Sequence, residues 1–154
     1  MHNGPFNDTV QSEVDKGQLI FIDRDGNVNQ FELLQFHLHA PSEHTIGGIS
    51  YDLELHLVHK RISANSALEE LGVVGIMFDR ETGGNYDNPF IESLQAREVR
   101  LHNETVSKEI PLMQLTQSLS CEKFYNYKGS LTTPGCVEIV EWLVIDDPQP
   151  ISDK

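Results

Sequence analysis

Short alternations of apolar and polar residues dominate this chain, and strands are what they predict. Residues 18–23 (QLIFID) read as a strand, followed by Asp25-Gly26-Asn27 as a turn. Residues 31–39 and 51–59 form two further strands. Gly47-Gly48 between them is a strong turn signal, so the second segment can fold back beside the first. Residues 71–78 are a continuous apolar run, consistent with a buried strand, and residues 137–145 (VEIVEWLVI) read as another central strand. Helix-like segments are fewer: residues 88–97, and residues 105–117, where Pro111 stands near a helix start. No internal repeat, low-complexity tract or clear linker interrupts the 154 residues, so the expectation is a single domain, residues 1–154, mostly β with short helices.

Charge narrows the partners. A net charge of −13 argues against nucleic acid and against anionic membranes. No apolar run approaches the length needed to span a bilayer. The opening MHNGPFND is polar and turn-rich, unlike a secretory signal. Nothing in the chain speaks to oligomeric state. Cys121 and Cys136 are open to either reading, free thiols or a disulfide.

The candidate chemistry sits on the predicted hairpin. Residues two apart in a strand share a face, so His37 and His39 project together, and His56 on the returning strand can join them. Three imidazoles leave a fourth tetrahedral position open for water, the design of a catalytic zinc site. Gln35 shares the face of His37 and His39, and Glu54 that of His56. Both are residue types that accept the second ring N–H of a metal-bound histidine. Val58 also shares the face of His56 by parity. His59 has the opposite parity, and both His59 and His44 read as structural.

Four segments, QFHLHAPSEHT (35–45), ELHLVH (54–59), GVVGIMF (72–78) and YKGSLTTPGCVEIVEW (127–142), together resemble the α-class carbonic anhydrases in order and approximate spacing. The resemblance covers nearly the whole chain. It implies a central, antiparallel-rich twisted β-sheet, incomplete at both ends, because the chain looks like the central part of such a domain. It implies a carbonate dehydratase (a lyase): reversible hydration of carbon dioxide to bicarbonate and a proton by zinc-bound hydroxide, with Zn²⁺ as cofactor and a small molecule as partner. The alternatives are a non-catalytic carbonic-anhydrase-related binding domain and an inactive zinc-binding fragment. Carried over residue by residue, Thr132 orients the hydroxide and Glu43 accepts the threonine's hydrogen bond. Thr133 lines the substrate mouth, and Val58, Val74, Leu131, Val140 and Trp142 form an apolar wall. The family's proton-shuttle position aligns with Gly4 or Pro5, which cannot carry a proton, leaving His2 as a displaced candidate. Cys136 stands where secreted members often carry a disulfide cysteine, whose usual partner lies nearer the N-terminus than this chain reaches. Cys121 could substitute only if the geometry allows it. That position points to secretion, with the cytoplasm as the alternative.

Overall fold

The computed structural model describes residues 9–10, 17–23, 25–62, 70–94 and 112–153. Among the described residues, seven strands and two short helices follow in chain order: β1 (Thr9–Val10), β2 (Gln18–Ile22), β3 (Val28–His39), β4 (Leu53–Arg61), β5 (Leu71–Phe78), α1 (Pro89–Ser93), α2 (Leu112–Ser118), β6 (Phe124–Gly129) and β7 (Val140–Ile145). They form one sheet in the order β1-β3-β4-β5-β7-β6, with β2 also paired to β3. Neighbours run antiparallel except β5 and β7, which are parallel. The sheet is mixed and mostly antiparallel, as the sequence led us to expect. Residues 71–78 form a strand with the expected bounds. Residues 137–139 do not join β7, and β1 and β6 had no counterpart in the sequence reading. Of the two helix-like segments, only Pro89–Ser93 and Leu112–Ser118 are helical among the described residues. Asn88 caps α1, its Oδ1 accepting from the N–H groups of Phe90 and Ile91, with Pro89 at the first helical position.

The turn at Gly47-Gly48 forms as expected. Ile46 and Ile49 bridge across it, and both glycines adopt positive φ, 60° and 82°. Two successive positive-φ residues are what a tight turn matched to strand twist requires, and glycine accepts them without steric cost.

Strict alternation fails in β3 at one place. Leu33 pairs with His59 and Gln35 with Val58, so Leu34 is an extra, unpaired residue. This bulge re-phases the strand. Phe31 and Leu33 share odd numbering with His37, yet their partners Arg61 and His59 put them on the face of Phe36 and Leu38. That face carries the larger core, in which Phe36, Leu55, Leu57, Ile76, Phe78 and Ile145 meet Phe90 of α1 and Leu115 of α2. Truncating Phe36 to alanine there would cost about 3–5 kcal/mol.

The other face is less uniform. Around β5 and β7 it is apolar, with Val58, Val73, Val140 and Trp142 in one cluster and Tyr51, Met77 and Val144 in another. Between them β4 contributes Glu54 and His56, which are 0% and 1% exposed. Polar groups buried that deeply must satisfy one another. How they do so defines the site.

Candidate metal centre

The β3–β4 register places His37 directly opposite His56 and His39 opposite Glu54. Residues facing each other across an antiparallel pair project from the same side, so the three imidazoles converge. Ring centroids lie 4.8 Å apart for His37 and His39, 5.2 Å for His37 and His56, and 4.6 Å for His39 and His56. One nitrogen from each can be chosen so that all lie within 4.8 Å of one another.

The hydrogen bonds fix which nitrogens face the centre. Gln35 Oε1 lies 3.0 Å from His37 Nδ1; a carbonyl oxygen only accepts, so Nδ1 carries the proton and Nε2 is left for a metal. His56 Nε2 is 2.8 Å from Glu54 Oε1, so this ring is reversed and presents Nδ1. His39 Nδ1 lies 3.5 Å from a carboxylate oxygen of Glu43, while His39 Nε2 is buried without a hydrogen-bond partner. An orphaned buried nitrogen beside two rings of defined tautomer fits a bound cation.

Electrostatics agree. Burial first, then the neighbouring His56 and His39, pushes the His37 imidazole down to about 4, and burial likewise lowers His39. Both rings are neutral near pH 7, as ligation requires. Burial alone would raise the Glu54 carboxyl. Hydrogen bonds from His44 and His56 outweigh it and hold Glu54 well below the usual range. Its Oε2 accepts from the backbone N–H groups of Glu43 and His44, both at 2.8 Å, and its Oε1 from His44 Nδ1 at 2.5 Å and from His56. Neutral imidazoles backed by one buried anion suit a borderline divalent metal such as zinc.

Of the other residues expected at the site, Val58, Val140 and Trp142 lie together, and Leu131 packs against them. The Trp142 ring is 4.9 Å from that of His56. Val74 requires a correction. It pairs with Leu57 and Leu143 and packs against the core on the opposite face; Val73 is the β5 residue in the wall beside Val58. The continuous apolar run of β5 offers no alternation from which to read the face. Thr132 and Thr133 occupy the exposed turn between Leu131 and Val137, whose backbone groups hydrogen-bond each other. The Glu43 carboxylate lies toward His39, and no hydrogen bond joins it to Thr132 in this structure. His2, Gly4 and Pro5 lie outside the described residues. Cys121 and Cys136 are exposed free thiols, so the alternative of a disulfide between them is not realised. His59 points away from the centre, as its parity required, its ring nitrogen Nδ1 3.2 Å from the carbonyl oxygen of Gly72.

Sequence reasoning missed the part played by two residues. His44, read as merely structural, binds Glu54, and Tyr127 on β6 reaches His44 with its hydroxyl at 2.6 Å. His44 follows no periodic pattern, being in a loop. The aromatic alternation of Phe124-Tyr-Asn-Tyr127 was the one available signal for β6.

Three imidazoles converging from the central hairpin of a mixed sheet define a mostly β protein with a histidine cluster able to hold one metal ion. Residues 5–154 match the model of the eukaryotic-type carbonic anhydrases. The chain belongs to that family. It is 31% identical to alpha carbonic anhydrase 3 of Arabidopsis thaliana over 99% of this chain and 50% of that protein, and 38% identical to a carbonic anhydrase of a Nostoc species over 77% of this chain and 42% of that one. Among solved structures, a halotolerant carbonic anhydrase from Dunaliella salina superposes with a TM-score of 0.69 at 31% identity, covering 96% of this chain and 60% of that chain. Carbonic anhydrase Cah3 from Chlamydomonas reinhardtii, solved with acetazolamide, gives 0.65 at 36% identity, covering 90% and 56%. The chain thus spans about half the length of the curated relatives it matches. Among the described residues no helix is long and apolar enough to cross a membrane.

Proposed function

We propose that this chain carries the metal centre of a zinc-dependent carbonate dehydratase, held by His37 and His39 through Nε2 and by His56 through Nδ1. The observation that carries this reading is the buried, unpartnered Nε2 of His39 between two rings whose tautomers are set by Gln35 and Glu54. Zinc, when bound, supplies Lewis acidity that brings the pKa of a coordinated water to about 7. The chain's own residues supply the rest. Gln35 and Glu54 hold two ligand rings in place and keep them neutral donors. Val58, Val73, Val140 and Trp142 form an apolar wall on the same face, suited to carbon dioxide, which offers little to hydrogen-bond. Thr132 and Glu43 orient the nucleophile: a hydroxyl accepts its hydrogen bond and a carboxylate accepts the hydroxyl's. This role requires Glu43 to turn from His39 toward Thr132.

A second reading is a chain that holds zinc without turnover. The unmade Thr132–Glu43 contact favours it, because an unoriented nucleophile loses much of its rate. Metal analysis and stopped-flow carbon dioxide hydration, run on this chain and on a longer form, separate the two. The enzyme reading expects one zinc per chain and measurable hydration, with both abolished in His39→Ala. Stoichiometric zinc retained in His39→Ala would refute the ligand assignment, and zinc without hydration in this chain would support the second reading, whether or not the longer form turns over.

A further inference from the structure

Behind the ligand His56, a chain of three further side chains, Glu54, His44 and Tyr127, runs outward to the rim. Tyr127 faces the metal side of β6, opposite Trp142 on β7. Its hydroxyl is 2.6 Å from His44 Nε2; His44 Nδ1 is 2.5 Å from Glu54 Oε1; His56 Nε2 is 2.8 Å from that same oxygen. The proton positions follow from chemistry. An ionised Glu54 only accepts, so His44 Nδ1 and His56 Nε2 both donate. A neutral His44 then has a lone pair on Nε2, so the Tyr127 hydroxyl donates to it.

Packing holds the chain in this order. The His44 ring meets Trp142 edge-on at 4.8 Å, and Tyr127 stacks on Trp142 at 6.2 Å and 11°. At Gly129, a Cβ would come within 2.8 Å of the Tyr127 ring and 3.0 Å of Trp142, so a bare backbone there leaves room for both rings.

We propose that His44 and Tyr127 are positioning residues for the metal. Tyr127 anchors the His44 ring through Nε2, His44 holds Glu54, and Glu54 keeps His56 Nδ1 turned to the centre. The proposal rests on the zinc reading above. Neither residue touches the metal, so their effect should appear in how long zinc is held. A residue that only packs against Trp142 would affect folding instead.

The test is zinc release from the loaded full chain into excess chelator, followed with a metallochromic dye, for the parent, His44→Ala, His44→Asn and Tyr127→Phe. Thermal unfolding of each metal-free form monitors the fold. Outer partners of metal-bound histidines are worth about 10–100-fold in metal affinity. His44→Ala should release zinc about 10-fold faster and Tyr127→Phe about 3-fold faster by the same logic, one step further out. In His44→Asn the amide N–H replaces Nδ1–H, so release should return to within about twofold of the parent. Parent-rate release from folded His44→Ala overturns the proposal, as does His44→Asn releasing as fast as His44→Ala. If His44→Ala does not fold, Tyr127→Phe decides: it removes only a hydroxyl, and parent-rate release from it overturns the relay. A parent that takes up no zinc defeats the zinc reading and this inference together; a zinc-binding parent with unresponsive variants defeats this inference alone.

Discussion

Gly75 on β5 lies directly across from His56, and replacing it with alanine is a sharp probe of the centre. A Cβ there would stand 3.0 Å from Glu54 Oε1 and 3.6 Å from a Val144 methyl. The first distance is short by a few tenths of an ångström, so Glu54 must give way. It has little freedom to do so: it is 0% exposed and accepts four hydrogen bonds, at 2.8, 2.8, 2.5 and 2.8 Å. Weakening one charge-assisted bond to a buried carboxylate costs up to about 1.5–3 kcal/mol, and overpacking in a core costs about 1–3 kcal/mol. Against these stands a gain of about 0.4–1 kcal/mol from reduced freedom of the unfolded chain. The balance is a loss of about 2–4 kcal/mol in metal-free stability. Zinc affinity should fall about 10-fold, because His56 loses alignment with Glu54. Urea unfolding of the metal-free protein and zinc competition against a chelator measure the two effects separately. An alanine variant as stable as the parent, with parent affinity, would refute the view that Glu54 is pinned between His44, His56 and the backbone.

Three further outcomes are expected. His37 is held neutral down to about 4, whereas unfolded histidine titrates near 6.5; between these values the unfolded chain binds more protons, so the metal-free protein should be stable above pH 6.5 and lose about 1–2 kcal/mol as pH falls toward 4, solvent screening included. Urea midpoints at pH 7.5, 5.5 and 4.5 check this, and a flat profile contradicts it. Thr132→Ala should retain zinc yet lose hydration by an amount on the order of 2–4 kcal/mol in the transition state, by analogy with lost oxyanion donors; metal analysis alongside stopped-flow rates decides, and a parent rate removes Thr132 from the mechanism. External imidazole should accelerate hydration if no internal histidine exports the proton, with His2→Ala changing little; a buffer-insensitive rate that collapses in His2→Ala would assign the shuttle to His2 instead.

Local pattern carried much of this. The spacing of His37 and His39, the diglycine turn and the parity of Glu54 and His56 are properties of strands as such, so the three ligands, Gln35 and Glu54 could be located from two-residue periodicity. Tertiary structure decided what periodicity does not encode. The bulge at Leu34 reverses the face of Phe31 and Leu33, because one unpaired residue changes the phase of everything before it. The unbroken apolar run of β5 concealed that Val73, rather than Val74, joins the wall, since only pairing with β4 and β7 chooses the face. Glu43 meets His39, and His44 links Glu54 to a tyrosine 83 residues away, through loop geometry and the pairing of β6 with β7. The ligands, Gln35 and Glu54 belong to neighbouring strands and could be read locally, whereas His44 and Tyr127 reach the buried Glu54 carboxylate only through a loop and the pairing of β6 with β7.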